Sequence, residues 1–227
     1  MPNPLERPAA AIFDMDGVLI DSNPFHLQKW ADFLRLHQIT FNEAELPNRI
    51  LGQRNDTLIR HFFGPEVTPE ESRRLSEEVE AMFREAFRPH AKPLPGLDRL
   101  IREMHAAGIP MAVASSAICK NIEFALEALG YRKYFRPIVS GDEVQRPKPD
   151  PEIYLKAAAK LGVEPADSVA FEDSFPGIEA VVRAGMKCVA IGSTFPMEEL
   201  RATRAHLVVK GFETLSLARL RKLFEAS

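Results

Sequence analysis

The chain reads as an α/β protein: a Rossmann-like, doubly wound parallel sheet core with an all-helical module inserted after its first strand. Three observations predict this. From Gly96 onward, short apolar runs alternate with helix-length stretches that stop at a glycine. The first apolar run, Ala9 to Phe13, ends abruptly in Asp14-Met15-Asp16-Gly17. Between about Asn23 and Arg88 the helical signals continue but convincing strand signals are missing. At 227 residues and 45% hydrophobic, the chain is long enough to bury a core domain and a smaller inserted one. The expected boundaries are 1–22 with 93–227 for the core and 23–92 for the insert and its flanking hinges.

Taken in order, Ala9 to Phe13 reads as a buried parallel strand. Phe25, Leu27, Trp30, Phe33 and Leu34 form an apolar stripe at helical spacing, the mark of a core-facing helix. Thr68-Pro69-Glu70-Glu71 reads as a helix start with a capping box, and the helix runs through Phe87. Pro89 to Gly96 is a linker. Gly96 to Ala107 is a helix, Met111 to Ala114 a strand, Ala117 to Leu129 a helix and Ile138-Val139 a weaker strand. Asp150 is expected to cap a helix that has Pro151 at its first position and ends at Leu161. Ser168 to Phe171, Lys187 to Ile191 and Leu207 to Val209 are strands, with helices over Pro176 to Ala184 and Glu213 to Phe224.

Composition excludes some classes. A formal net charge of −3 offers no basic field for nucleic acid as an obligatory partner. No stretch approaches the roughly 18 apolar residues of a membrane span. Met1 to Pro8 lacks the apolar core of a secretion signal, and Cys119 and Cys188 belong to no paired motif. A cytoplasmic protein, monomeric or weakly dimeric, is expected.

In doubly wound sheets, ligands bind at the carboxyl edge of the strands. Asp14 and Asp16 follow the first strand, Ser115 and Ser116 the second, and Glu172 and Asp173 the strand from Ser168. Lys148 lies in the stiff loop Arg146-Pro147-Lys148-Pro149-Asp150-Pro151 after the weaker strand. Residues i and i+2 of an extended chain face one way, so Asp14 and Asp16 share a site if the strand persists, whereas a turn would redirect the second. Like charges brought close need a cation or a proton. Singly, each feature has another reading: a polar strand-to-loop junction, a serine pair capping a helix, a solvated lysine, a loop and N-cap at Glu172-Asp173-Ser174. Together, carboxylates, hydroxyls and a lysine on one edge suit a metal and a phosphate.

At these residues the chain resembles the haloacid dehalogenase superfamily. Asp14-Met15-Asp16-Gly17 is similar to its first motif, Ser115 to its second and Lys148 to its third. Phe171-Glu172-Asp173-Ser174, with Gly177 and Ala184-Gly185-Met186, is similar to its fourth. The helical insert resembles the small cap of subfamily I, in the β-phosphoglucomutase-like and sugar-phosphatase branch. Pro147 departs from the glycine often found before the motif lysine. The resemblance implies a Mg²⁺-dependent phosphatase acting on a small phosphorylated metabolite, with a sugar phosphomutase as the alternative and a non-catalytic binding protein as a minor one.

By the same resemblance, Asp14 forms an aspartyl-phosphate, Asp16 is the general acid and base, and Lys148 neutralises charge. Ser115, Ser116 and Lys148 bind the phosphoryl oxygens. Asp14, Asp16 through its carbonyl, and Asp173 hold Mg²⁺, with Glu172 supporting or ligating. His26, Gly52, Gln53, Arg54 and Asn55 of the cap are the substrate-facing candidates. The mutases carry a lysine before this glycine and an arginine three residues after it. Leu51 and Asn55 stand there instead, which favours the phosphatase. The metal-free dehalogenases lack the second carboxylate of the first motif, so Asp16 argues against that chemistry.

Overall fold

The computed structural model describes residues 7–50 and 55–225. They form two compact units, 1–21 with 92–227 and 22–91.

The first unit is built on a six-stranded sheet: β1 (Ala10–Phe13), β2 (Met111–Ala114), β3 (Phe135–Val139), β4 (Ser168–Glu172), β5 (Lys187–Ile191) and β6 (Leu207–Val209). The spatial order is β3-β2-β1-β4-β5-β6, and every pairing is parallel. β1 is therefore the switch point, with β2 on one side and β4 on the other. Its register, Phe13 opposite Val113 and Phe171, brings the ends of three strands level.

Alternation along the strands sorts the two faces. Phe13 and Phe171 stack at 4.4 Å between centroids, and Phe135 meets Phe13 edge-on at 5.4 Å. Such aromatic pairs add roughly 1 kcal/mol each beyond the area they bury. The opposite face carries Ile12, Ala112 and Ala170, small enough for Ala157, Ala158, Ile178 and Val181 to pack against it. Those four come from α7 (Glu152–Leu161) and α8 (Phe175–Arg183). The remaining helices of this unit are α5 (Leu97–Ala106), α6 (Cys119–Ala128), α9 (Met197–Arg201) and α10 (Leu217–Glu225).

Several boundaries move. The weak strand at Ile138 begins at Phe135, because one extra residue is accommodated where Met111 pairs Phe135 but Val113 pairs Ile138. Pro137 lies in that irregular stretch at the sheet edge, where a missing N–H is tolerated. The final helix is split: a single turn over Phe212–Thr214 precedes α10. α7 begins at Glu152 rather than Pro151, yet Asp150 Oδ1 still accepts its N–H at 3.0 Å. It ends at Gly162, whose φ of 70° is the left-handed conformation that glycine adopts without strain.

The second unit contains α1 (Asn23–Leu36), α2 (Leu46–Ile50), α3 (Asn55–Phe63) and α4 (Pro69–Phe87). Trp30, Phe33, Leu34, Leu58, Ile59, Leu75 and Val79 make its core. Thr68 Oγ1 accepts the Glu71 N–H at 3.2 Å at the head of α4. A buried ion pair joins α1 to α4, Lys29 Nζ lying 2.9 Å from Glu80 Oε1. No helix among the described residues is long and apolar enough to cross a membrane.

Candidate active site

The chain leaves β1 at Asp14 and turns at once. Gly17 N–H donates to the Ile20 carbonyl at 2.7 Å, and Asp16 forms an isolated bridge with Ile20. The turn, rather than a continued strand, therefore directs Asp16. Gly17 is required here twice over. Its φ is +75°, and a Cβ would lie 2.0 Å from Asp173 Oδ2.

Lys148 Nζ sits 2.5 Å from both Asp14 Oδ1 and Glu172 Oε1 and 3.4 Å from the Ala114 carbonyl. Ends of β1, β2 and β4 are thus bridged by one ammonium group. The loop carrying it is braced by Glu152, which accepts the N–H groups of Gln145 and Arg146 at 3.1 and 3.0 Å. Ser115 is buried, and its Oγ accepts the Ala117 N–H at 3.1 Å, leaving its hydroxyl hydrogen to donate elsewhere. It caps no helix, since α6 begins only at Cys119. Ser116 is exposed.

For Glu172 the expectation was open between supporting the metal site and ligating it, and its hydrogen bonds bear on that choice. Oε1 accepts from Lys148 and from the Tyr154 hydroxyl at 2.8 Å. Oε2 accepts from the N–H groups of Asp173 and Ser174, at 2.9 and 3.0 Å, and from Ser174 Oγ at 3.0 Å. A carboxylate offers about four lone-pair sites. Those of Glu172 are engaged by five protein donors, the arrangement of a supporting carboxylate.

Asp14 and Asp173 differ in this respect. Each commits one oxygen, Asp14 Oδ1 to Lys148 and Asp173 Oδ2 to the hydroxyl of Thr194. Burial pushes the Asp14 carboxyl up to about 7; Lys148 opposes this, while Glu172 and Asp16 add to it. Burial, then the charges of Glu172 and Asp14, hold Asp173 well above the usual carboxylate range. Burial also disfavours the Lys148 ammonium, but Asp14 and Glu172 outweigh it and raise its pKa. One ammonium thus pairs with two buried carboxylates, Asp14 and Glu172, with a third, Asp173, within their electrostatic reach, a deficit of positive charge that a divalent cation would relieve. Among the described residues no three His, Cys, Asp or Glu side chains form a ready-made cage. Mg²⁺ needs none, being held by one or two carboxylates with waters retained. Asp14 and Asp173 fit that requirement.

Of the cap candidates, His26 stacks on Phe83 at 4.1 Å, and Asn55 Nδ2 donates to Glu80 Oε1 at 2.6 Å. Both gather round the Lys29–Glu80 pair, with Lys29 Nζ 4.8 Å from the centre of the same Phe83 ring. Leu51, Gly52, Gln53 and Arg54 lie outside the described residues.

Sequence reasoning missed Tyr154, Ser193, Thr194 and the Lys29–Glu80 pair. Tyr154 was in principle findable, because a buried tyrosine needs a partner for its hydroxyl. Ser193 and Thr194 follow β5, and the rule that singled out the ends of the other strands applies to them equally.

Residues 11–191 match the family described as haloacid dehalogenase-like hydrolase. The chain is 33% identical over 214 residues to the chloroplastic 5-amino-6-(5-phospho-D-ribitylamino)uracil phosphatase of Arabidopsis thaliana; the match covers 94% of this chain but only 57% of that enzyme. It is also 33% identical over 223 residues to the β-phosphoglucomutase of Bacillus subtilis, covering 95% of each. Its fold superposes on a crystal structure of a HAD hydrolase, family IA, variant 3, from Entamoeba histolytica with a TM-score of 0.87, at 27% identity and over 95% of this chain and 99% of that one. With the strand-end carboxylates and the bridging lysine in place, this chain belongs to the haloacid dehalogenase-like hydrolase family.

Proposed function

We propose that the protein is a phosphatase of a small phosphate ester, with sugar phosphates the first class to test. The observation that carries this reading is Lys148 bridging Asp14 and Glu172 through Asp14 Oδ1 and Glu172 Oε1 at the carboxyl edge of the sheet. In the proposed reaction the Asp14 carboxylate attacks phosphorus, the bond from phosphorus to the leaving oxygen breaks, and Asp16 gives that oxygen its proton. Asp16 then takes a proton from the water that hydrolyses the aspartyl-phosphate, releasing inorganic phosphate. Lys148 holds Asp14 in place and offsets charge on the phosphoryl group; the Ser115 hydroxyl donates to one of its oxygens. Ser116, exposed beside it, is retained only as a further phosphate contact.

Enzymes of this family generally use Mg²⁺. Asp14, Asp173 and the Asp16 carbonyl would hold it here, and when bound it supplies charge neutralisation at the phosphoryl oxygens. We assign substrate choice to the helical unit and the protein to the cytoplasm; its two cysteines are unpaired, in keeping with a reducing compartment.

A phosphomutase is the second reading, favoured by the 33% identity to a β-phosphoglucomutase along the chain. Asn55 weighs against it. Its amide is engaged by Glu80, a carboxylate poorly suited to accompany a second phosphate. Phosphorus NMR decides between them, using Mg²⁺-loaded enzyme and a panel of hexose and pentose phosphates that includes β-glucose 1-phosphate with a trace of its 1,6-bisphosphate. Growth of inorganic phosphate, abolished by Asp14→Asn, is the expected result. Conversion to glucose 6-phosphate without that growth would make the protein a mutase.

A further inference from the structure

Two residues outside every motif reach the site. After β5 the chain runs Gly192-Ser193-Thr194-Phe195. Ser193 Oγ donates to the Gly17 carbonyl, and Thr194 Oγ1 donates to Asp173 Oδ2. The acceptors belong to two different loops, one after β1 and one after β4. The three loops meet without slack, since a Cβ on Gly17 would lie 2.0 Å from Asp173 Oδ2 and 2.8 Å from Thr194 Oγ1. The dipeptide is itself anchored: Phe195 packs on Phe175 at 4.6 Å, the first residue of α8, two positions after Asp173.

An aspartate side chain left to itself turns broadly about its terminal torsion. Here a β-branched residue, stiff at χ1, fixes which carboxylate oxygen is used by the protein and which remains. Ser193 does the corresponding work on the backbone, holding the carbonyl beyond Asp16.

We propose that Ser193 and Thr194 are the positioning residues of the metal half of the site, Thr194 orienting Asp173 and Ser193 pinning the Asp16–Gly17 turn, so that Asp14 and Asp173 are set for one divalent cation before it arrives. This rests on reading Asp14 and Asp173 as Mg²⁺ ligands. Replacing a residue that hydrogen-bonds a metal's ligand typically weakens metal binding by about 10- to 100-fold.

The test is calorimetric titration of the metal-free, full-length protein with MgCl₂, in the wild type and in Thr194→Val, Thr194→Ser, Ser193→Ala and Asp173→Asn. Valine keeps the shape and loses the donor; serine keeps the donor. Thr194→Val should raise the Mg²⁺ Kd by about tenfold or more while Thr194→Ser stays near wild type. Ser193→Ala should shift in the same direction as Thr194→Val, and serves alone if the valine variant does not fold. Wild-type Kd in both Thr194→Val and Ser193→Ala, with Asp173→Asn impaired, would overturn the positioning role and leave the metal reading intact. Wild-type Kd in Asp173→Asn would overturn both.

Discussion

Tyr154 donates its hydroxyl to Glu172 Oε1 at 2.8 Å, the same oxygen that receives Lys148 Nζ at 2.5 Å. The lysine Nζ also lies 5.0 Å from the centre of the tyrosine ring. Glu172 follows Ala170 by two residues, so it shares the sheet face on which α7 packs, and Tyr154 is the α7 residue that meets it. The tyrosine thus steadies the carboxylate that steadies the lysine.

Tyr154→Phe removes that donor and nothing else. A hydrogen bond to a charged group contributes about 1.5–3 kcal/mol, so urea unfolding should show a loss in that range. Turnover should fall several-fold with KM little changed, because the substrate is not touched. An unchanged unfolding midpoint would mean that Glu172 is held by its other donors alone.

Gly177 lies against Glu172, and a Cβ there would sit 1.9 Å from its carboxylate carbon. Gly177→Ala should therefore displace the carboxylate from Lys148. A shift of about 1 Å in a positioned group costs on the order of 100-fold in rate. Overpacking of this kind costs about 1–3 kcal/mol in stability. Steady-state kinetics with purified folded protein checks it, and wild-type turnover would show that the site tolerates the methyl group.

Glu152 gives a pH dependence with a defined sign. Its bond from Lys156, with the N–H groups of Gln145 and Arg146, holds its carboxyl down at about 2, against an ordinary 4.5. A depressed acid stabilises the fold fully above the unfolded pKa, and the contribution is lost as pH falls through the folded one. Melting of wild type and Glu152→Gln should differ by a constant amount above pH 4.5 and converge as pH approaches 2. A gap that ignores pH over this window would show that the charge on Glu152 contributes nothing.

In the helical unit, Lys29 and Glu80 are both buried. Lys29→Met removes the cation paired with Glu80, leaving a buried charge with the Asn55 amide, and should cost about 3–5 kcal/mol, whereas Lys29→Met with Glu80→Leu should regain most of it. Chemical denaturation of the two variants is the measurement. A double variant that stays far below the wild type would mean that the pair is net stabilising.

Much of the fold was legible because its signals are local. β1 is a short buried run stopped by Asp14, and β2, β5 and β6 are observed where apolar runs placed them. β3 is longer than the weak run at Ile138-Val139 indicates, and Pro137 is accommodated in it because β3 lies at the sheet edge. Asp14, Lys148 and Glu172 were legible as a group because each lies at or beyond the end of a strand. What each does was not. For Glu172 the sequence leaves support and ligation both open, whereas in the structure its oxygens accept five protein donors, three of them its own neighbours' groups.

The sequence by itself determined the class of the protein: alternating elements that demand a parallel sheet, carboxylates and a lysine at its carboxyl edge, and a helical insert. Those follow from periodicity, turn residues and strand ends, which act over a few positions. Only the tertiary structure decided the pairing of charges and donors. Lys148 meets Asp14 across 134 positions, and Ser193 meets Gly17 across 176. Which lone pairs are filled, and which remain for a ligand, depends on how distant elements pack, because a buried polar group takes whatever partner packing places within reach.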